Sequence, residues 1–370
     1  MSIKVCNVTS LHEYDDGRIF QRVCKSLKKK YEVFFVVPNT QSLEVDGVHI
    51  IGVALPDINH RLKRWTSLNK LLPILIDIDA DIYHFHDPEL MPLGLKMKKY
   101  GKKIVFDSHE DVPAYLSTVS YIPRIIRGVF PKIYALYEKR LLSKYDALVS
   151  VTPFIVNRLK KINPNTYQIT NYPSFKGIDV ERKWERKVIF AGLIGEAWNL
   201  DKVIRCLPRI NTKLILCGHY ATDDYLKYLM SLPEWEYVEY RGRVPHSQVL
   251  EFYGECCAGL AIESYDDPNI GYREGSLGNT KRLDYMSAGI PVITSASKVW
   301  GDVVDTYKCG LCVQDPKSEE EIADVILSLV DNKEYAKELG DNAKEAVRVE
   351  YNWDTQEKVL FDMYNKLLGV

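Results

Sequence analysis

Gly278-Asn279-Thr280-Lys281-Arg282-Leu283-Asp284-Tyr285-Met286-Ser287-Ala288-Gly289-Ile290-Pro291-Val292-Ile293-Thr294 spells out a helix, a turn and a strand in consecutive residues. Asn279 or Thr280 is placed to cap a short helix. Gly289 is placed to end it in left-handed backbone, and the β-rich run 291–294 continues as a strand. Lys281 in the first turn works against the helix, whose start already carries partial positive charge. An anion held there would account for it, and the free backbone N–H groups of a helix start suit a pyrophosphate. Asp284, one turn on, is placed to accept hydrogen bonds from ribose hydroxyls. A solvated helix start explains the cap and the lysine equally well at this point.

The same alternation extends outward through the chain. In the second half, strands are expected at 188–192, 213–217, 237–240, 259–262 and 291–294. Helices at 200–207, 224–231, 247–256 and 280–288 lie between them, and helices at 319–332, 333–349 and 354–368 follow. In the first half, strands at 3–9, 32–38, 48–53, 81–86, 103–107 and 147–152 alternate with helical patterns at 17–30, 89–100 and 131–144. Apolar Ile19, Val23 and Leu27 recur at helical spacing in the first of these. Such repetition predicts an α/β fold with parallel sheets covered on both faces. The polar stretch 172–187 reads as a linker, so residues 1–171 form one Rossmann-like half and residues 172–350 a second, with a cleft between them. Ligands of such sheets gather where the loops leave the C-terminal strand ends.

Composition narrows the function classes. The 370 residues are 46% hydrophobic and 27% charged, with a formal net charge of −1, so no global field recruits nucleic acid. The opening residues run straight into a strand pattern with no secretory signal, and the apolar run 71–78 is broken by Pro73 and Asp77. Eight scattered cysteines suit buried thiols in a reducing, cytoplasmic compartment. Cys309 and Cys312 form a CxxC with no second pair to complete a zinc site.

The quoted segment resembles the donor-binding motif of the family-four retaining glycosyltransferases of the GT-B fold. In that motif a lysine, an acidic residue, a tyrosine-methionine pair and a glycine-proline-valine run recur. Residues 188–207, 213–220 and 237–253 are similar to that family's glycine-bearing strand-loop, its next glycine turn and its base-binding turn. Tyr351-Asn352-Trp353 resembles the start of its final helix, which over 351–370 returns to the first domain. The resemblance implies that Lys281 neutralises the pyrophosphate and Asp284 binds the ribose. It puts Gly195, Gly218, Gly278, Asn279 and Thr280 near the phosphates, with Arg243 and Val244 beside the base. It implies a nucleotide-diphosphate sugar as donor, UDP-linked rather than GDP-linked, retention of anomeric configuration, and neither metal nor cofactor. The chain departs from the family pattern at Leu193 and Trp198, where cations are frequent, and at Ser276, where a glutamate is frequent. Arg241, Arg273 and Glu274 are the substitutes in range.

In the first half, the polar run Asp107-Ser108-His109-Glu110-Asp111 follows a strand end. The family carries a histidine there near the donor sugar, which makes His109 the residue expected to carry the chemistry, with Glu110 beside it. A capping or buried histidine is the competing account. His84-Phe85-His86-Asp87 alternates, so both histidines share one strand face. A metal pair there lacks a third ligand in sequence, and a structural or acceptor-side role is expected for His86 and Asp87. Asp77, Asp79 and Asp81 mimic a DxD metal motif but sit between a helix and a strand start, away from the ligand-binding ends. The loop 12–18 carries a single glycine, Gly17, which argues against a dinucleotide cofactor. His12, Asp16 and Arg18 in this loop are expected to contact the acceptor.

Two basic, aromatic-interleaved stretches suit a peripheral contact with an anionic inner-membrane surface and, with it, a lipid-linked saccharide acceptor. Residues 59–76 carry His60, Arg61, Lys63, Arg64, Trp65 and Lys70, and residues 121–144 carry Arg124, Arg127, Lys132, Lys139, Arg140 and Lys144. Solvated helix faces explain such stretches equally well. Two other functions fit the same donor motif: a sugar-nucleotide epimerase or hydrolase of the same fold, and a non-catalytic sugar-nucleotide-binding scaffold.

Overall fold

The computed structural model describes residues 2–56, 66, 68–118, 128–174, 181–266 and 273–370. The chain divides into two compact units: Met1–Asn171 with Gln356–Val370, and Tyr172–Thr355. Residues 59–65 and 121–127 of the basic stretches lie outside the described residues.

The first unit is built on an eight-stranded sheet. Its strands are β1 (Lys4–Val8), β2 (Glu32–Pro38), β3 (Leu43–Val45), β4 (Val48–Val53), β5 (Ile82–Phe85), β6 (Lys103–Ser108), β7 (Ala147–Ser150) and β8 (Thr166–Gln168), in the order β3-β4-β2-β1-β5-β6-β7-β8. All pairings are parallel except that of β3 with β4. Every residue of β5 is buried, as expected for a strand covered on both faces. Tyr83, Phe85 and Phe106 pack with Leu75, Leu90, Met97 and Leu148 in one core. The strand order reverses between β1 and β5, where a parallel sheet opens its loops to a ligand.

The helix expected at 17–30 begins differently. Asp16 Oδ1 accepts from the N–H of Arg18 at 2.8 Å and of Ile19 at 2.7 Å. Ile19–Cys24 then forms a π-helical turn, with Val23 N–H bonded to the Arg18 carbonyl, before Lys25–Leu27 closes as α-helix. The wider turn carries the Arg18 side chain into the sheet end. At the far end of the chain, Tyr364 is fully buried, stacks on Tyr31 at 5.9 Å, and its hydroxyl lies 2.9 Å from His84 Nδ1.

The second unit has six strands: β9 (Lys187–Ala191), β10 (Lys213–Cys217), β11 (Val238–Gly242), β12 (Ala258–Ala261), β13 (Val292–Ser295) and β14 (Gly310–Val313). Their order is β11-β10-β9-β12-β13-β14 and every pairing is parallel. This is the doubly wound arrangement, with its switch point between β9 and β12. The helix Lys298–Tyr307 and strand β14 add to what the sequence pattern led us to expect. Cys309 and Cys312 flank and join β14 as free thiols, as all eight cysteines are. Asp79 and Asp81 stand at the N-terminal end of β5. Asp79 pairs there with Lys102 at 2.6 Å, and Asp81 accepts from the Lys4 N–H at 2.8 Å.

Candidate functional site

In the second unit, a cavity of about 450 Å³ opens at the C-terminal ends of β9 and β10. Its floor is two glycines in backbone that L side chains rarely adopt, Gly192 at φ +146° and Gly218 at φ +133°. A Cβ on Gly218 would stand 1.8 Å from the Gly192 carbonyl oxygen, so the two strand ends approach this closely only because Gly218 lacks one, while a Cβ on Gly192 would press on the Lys281 side chain at 3.0 Å. Leu193, Trp198, His219, Arg243, Val244, Val249 and Tyr253 form the walls, with Asn279, Thr280, Lys281 and Asp284 closing one side.

Lys281 opens the helix Lys281–Ser287, and Asn279 Oδ1 accepts from its N–H at 3.4 Å. Thr280 makes no side-chain cap, so of the two caps expected only Asn279 acts. Gly289 follows at φ +71°, the left-handed residue the sequence called for. The Lys281 ammonium is the unusual group. Its side chain is buried, and Nζ has no hydrogen-bond partner among the described residues. The nitrogen lies 3.3 Å from the Trp198 ring centre and 3.8 Å from that of Phe190. Burial, reinforced by the neighbouring Arg282 charge, pushes Lys281 well below the ordinary lysine range. Arg282 points the other way, into a buried ion pair with Glu263, with further bonds to Thr294 Oγ1 and the Ala261 carbonyl at 2.9 Å. Lysine and arginine, adjacent in sequence, thus serve different ends: Arg282 neutralises a buried carboxylate, and Lys281 keeps an uncommitted nitrogen in the cavity.

Of the other residues expected at the donor, Gly218, Asn279, Thr280, Asp284, Arg243 and Val244 line this cavity, whereas Gly195 and Gly278 do not. Arg241 is taken up by Glu239 at 2.6 Å, and the Arg273 guanidinium stacks on Tyr265. Neither lines the cavity. His219, Val249 and Tyr253 lie in the segments 213–220 and 237–253 that resemble the family's turns, but the resemblance singles out none of them as a donor contact. Their position after or opposite β10 becomes visible only with the sheet order.

The first unit carries a second polar cluster at the ends of β1, β5 and β6. Asp107 is fully buried, and Arg18 grips it with Nε at 2.9 Å from Oδ2 and Nη2 at 2.9 Å from Oδ1. Arg18 Nη1 also donates to the Ile169 carbonyl and to Asn171 Oδ1. Burial alone would raise Asp107, but Arg18, His109 and His86 hold it well below the usual carboxylate range. Asp107 Oδ2 lies 3.6 Å from both His86 Nδ1 and His109 Nε2, which are 3.3 Å from each other. His86 Nε2 is 3.1 Å from Asn7 Oδ1. Burial lowers both His84 and His86, which stack at 4.6 Å.

His12 Nδ1 is 3.2 Å from Asp16 Oδ2, a contact that raises the histidine, and its ring lies 5.2 Å from that of His109. Asp87 Oδ2 accepts from Thr9 Oγ1 and the Ser10 N–H, fixing the β1 loop.

These contacts redistribute the roles expected from sequence. Arg18 and His86, placed on the acceptor side, are buried and occupied by neighbours, so they support the site from behind. His12, Asp16 and His109 remain partly exposed at its front. Glu110 is exposed, and its carbonyl accepts from Ser108 Oγ at 3.0 Å. Asp107 is the third ligating group that the histidine pair lacked in sequence: His84, His86 and Asp107 each place one ligand atom within 4.8 Å of the others. Arg18 already supplies the positive charge that this carboxylate needs.

Residues 17–170 match the family model described as Glycosyltransferase Family 4, and residues 174–346 match that described as Glycosyl transferases group 1. Two uncharacterized glycosyltransferases of Methanocaldococcus jannaschii are similar. MJ1069 is 21% identical over 92% of this chain and 84% of its own length. MJ1607 is 26% identical over 49% of this chain and 45% of its own, so this chain spans under half of that relative. Among solved structures, sucrose-phosphate synthase from Thermosynechococcus elongatus superposes with a TM-score of 0.73 at 14% identity, over 99% of both chains. Alr3699/HepE from Anabaena, in complex with UDP-glucose, superposes with a TM-score of 0.69 at 11% identity, over 98% of this chain and all of that one. With two parallel-sheet units and family matches over both, the chain belongs to the family-four glycosyltransferases of the GT-B fold.

Proposed function

We propose that the protein transfers a sugar from UDP to a saccharide or lipid-linked saccharide, with retention of anomeric configuration and without a metal. The observation that carries this reading is the buried, unpartnered Lys281 nitrogen in the second-unit cavity. A pyrophosphate is the ligand whose charge such a group lacks. In the transfer, the bond between the sugar's anomeric carbon and the β-phosphate oxygen breaks, and negative charge grows on the leaving diphosphate. Lys281 stabilises that charge as it develops. The acceptor oxygen bonds to the same carbon and gives up its proton, which passes to the departing phosphate. His109, at the front of the first-unit cluster, accepts a hydrogen bond from a substrate hydroxyl. The UDP and UDP-glucose carried by Alr3699/HepE support the choice of base.

Calorimetric titration of UDP and GDP at several pH values tests this. Binding restores the Lys281 charge, so UDP association takes up a proton. The sign follows: the bound state holds more protons than the free one, and affinity falls as pH rises between the lowered and restored values. The dissociation constant is expected to climb with pH, by at most about tenfold per pH unit, over the range below the ordinary lysine value in which the free protein has shed the proton and the complex has not. The observed enthalpy should also vary with the buffer's ionisation enthalpy. Binding of neither nucleotide would sink the reading, and tighter binding of GDP would replace the base. A hydrolase would release UDP from the sugar nucleotide with water alone as acceptor, and an epimerase would convert the sugar nucleotide into its epimer with no acceptor present.

The acceptor side rests on the helix Phe130–Leu142. Phe130, Ile133 and Leu136 form an exposed apolar stripe beside exposed Lys132, Lys139 and Arg140. That combination suits an anionic lipid surface. Co-sedimentation with vesicles containing phosphatidylglycerol is expected to fall at least about fivefold for Leu136→Glu, roughly 1 kcal/mol of lost apolar contact. Equal sedimentation of the variant would remove the membrane part of the proposal. Among the described residues no helix is long and apolar enough to cross a membrane.

A further inference from the structure

Three polar atoms at the end of β5 and β6 form a nearly equilateral triangle: His86 Nδ1, His109 Nε2 and Asp107 Oδ2, separated by 3.3, 3.6 and 3.6 Å. With both rings neutral, the 3.3 Å edge has room for one proton, because two facing N–H groups would clash and two facing lone pairs would repel. Which ring owns that proton is decided outside the triangle. Asn7, on β1, places Oδ1 3.1 Å from His86 Nε2. An amide oxygen accepts, so His86 carries its proton on Nε2 and turns a lone pair on Nδ1 towards His109. The proton inside the triangle is then that of His109 Nε2, shared between His86 Nδ1 and the ionised Asp107. Arg18 on the far side of Asp107 keeps that carboxylate charged and fixed.

We propose that His86, oriented by Asn7, is a positioning residue that holds His109 in the Nε2–H tautomer and so presents its Nδ1 lone pair as the ring's reactive atom. His109 then accepts, rather than donates, a hydrogen bond at Nδ1. In this state Nδ1 accepts a hydrogen bond from a hydroxyl while the acceptor's proton still goes to the departing phosphate, and Asp107 compensates the positive charge the contact draws onto the ring. The tautomer follows from the first-unit geometry alone, and its use on a sugar or acceptor hydroxyl rests on the transferase reading. The logic is that of a histidine whose second nitrogen is spent on a fixed partner so that the first has one defined role.

The test is the long-range proton–nitrogen correlation spectrum of the full chain with 15N-labelled histidine at pH 8.5, with His109→Ala used to assign the ring. In wild type, His109 is expected to show a protonated Nε2 and a bare Nδ1. A protonated Nδ1 would overturn the proposal, and this outcome needs no variant of His86. In His86→Phe, which keeps the ring's bulk but removes the acceptor, the single-tautomer pattern should give way to averaging between the two forms. His86→Asn, whose amide oxygen can stand where Nδ1 stood, should restore it. An unaltered His109 pattern in His86→Phe would also refute the role of His86. Loss of transfer activity in His86→Phe with UDP affinity retained is the matching kinetic readout. Should no transfer be found even in wild type, the transferase reading fails while the tautomer result stands.

Discussion

Lys281→Met is expected to weaken UDP binding and to stabilise the ligand-free protein at the same time. The two effects share one cause. In the free protein the nitrogen is buried, contacts two aromatic faces and has no hydrogen-bond acceptor among the described residues. Burial drives the proton off, and the amine that remains is a buried polar group without an acceptor, unfavourable by about 1–3 kcal/mol. Methionine fills a similar volume without the amine, so thermal unfolding should shift upward by roughly 2–4 °C for each kcal/mol regained. UDP loses its charge-assisted partner, at a cost of about 2–4 kcal/mol, or roughly 30- to 1,000-fold in dissociation constant. The pH dependence of binding should flatten with it. Calorimetry and thermal melts on the same sample decide the matter: a variant that is less stable, or one that binds UDP like wild type, contradicts the role given to Lys281.

His109→Ala is expected to lower turnover by about 100- to 10,000-fold, the range for removing a group that moves or holds a proton in the transition state. UDP affinity should stay within about twofold, a change under 0.5 kcal/mol. The separation is sharp because every described residue lining the second-unit cavity proposed for UDP belongs to that unit, whereas His109 belongs to the first. A retained turnover would return His109 to the buried-support role that Arg18 and His86 already fill. It would also move the protein towards the non-catalytic scaffold. A large loss of UDP affinity would mean that the substitution disturbs more than chemistry.

Much of this architecture is legible in the residues. The strands at 32–38 and 48–53 stand where the β-rich runs placed them, and Gly289 ends its helix in the conformation that only glycine adopts freely. β3 escaped because it is a three-residue edge strand with exposed side chains, so no alternation marks it. The π-helical turn at Ile19 escaped because it shifts the helical register by one residue, less than apolar spacing resolves.

For the site, local motifs named Lys281, Asp284 and His109 but not their surroundings. Phe190, Trp198 and Lys281 meet from three separate elements, and Trp198 read only as a departure from a cationic position. Arg18 and Asp107 stand 89 residues apart, so neither shows that it neutralises the other until β1 and β6 are placed in one sheet. Sequence spacing gives pairs on one strand or helix, and charge balance across a sheet is a property of the fold.

The fifteen residues Gln356–Val370 belong to the first unit, although all of the second unit is synthesised between them and Asn171. Tyr364 fills a fully buried position against Tyr31 and supplies the partner of His84 Nδ1. During synthesis the sequence of the second unit is therefore complete before that of the first, and the stack on Tyr31 and the contact with His84 that Tyr364 supplies become available to the first unit only once Gln356–Val370 have followed.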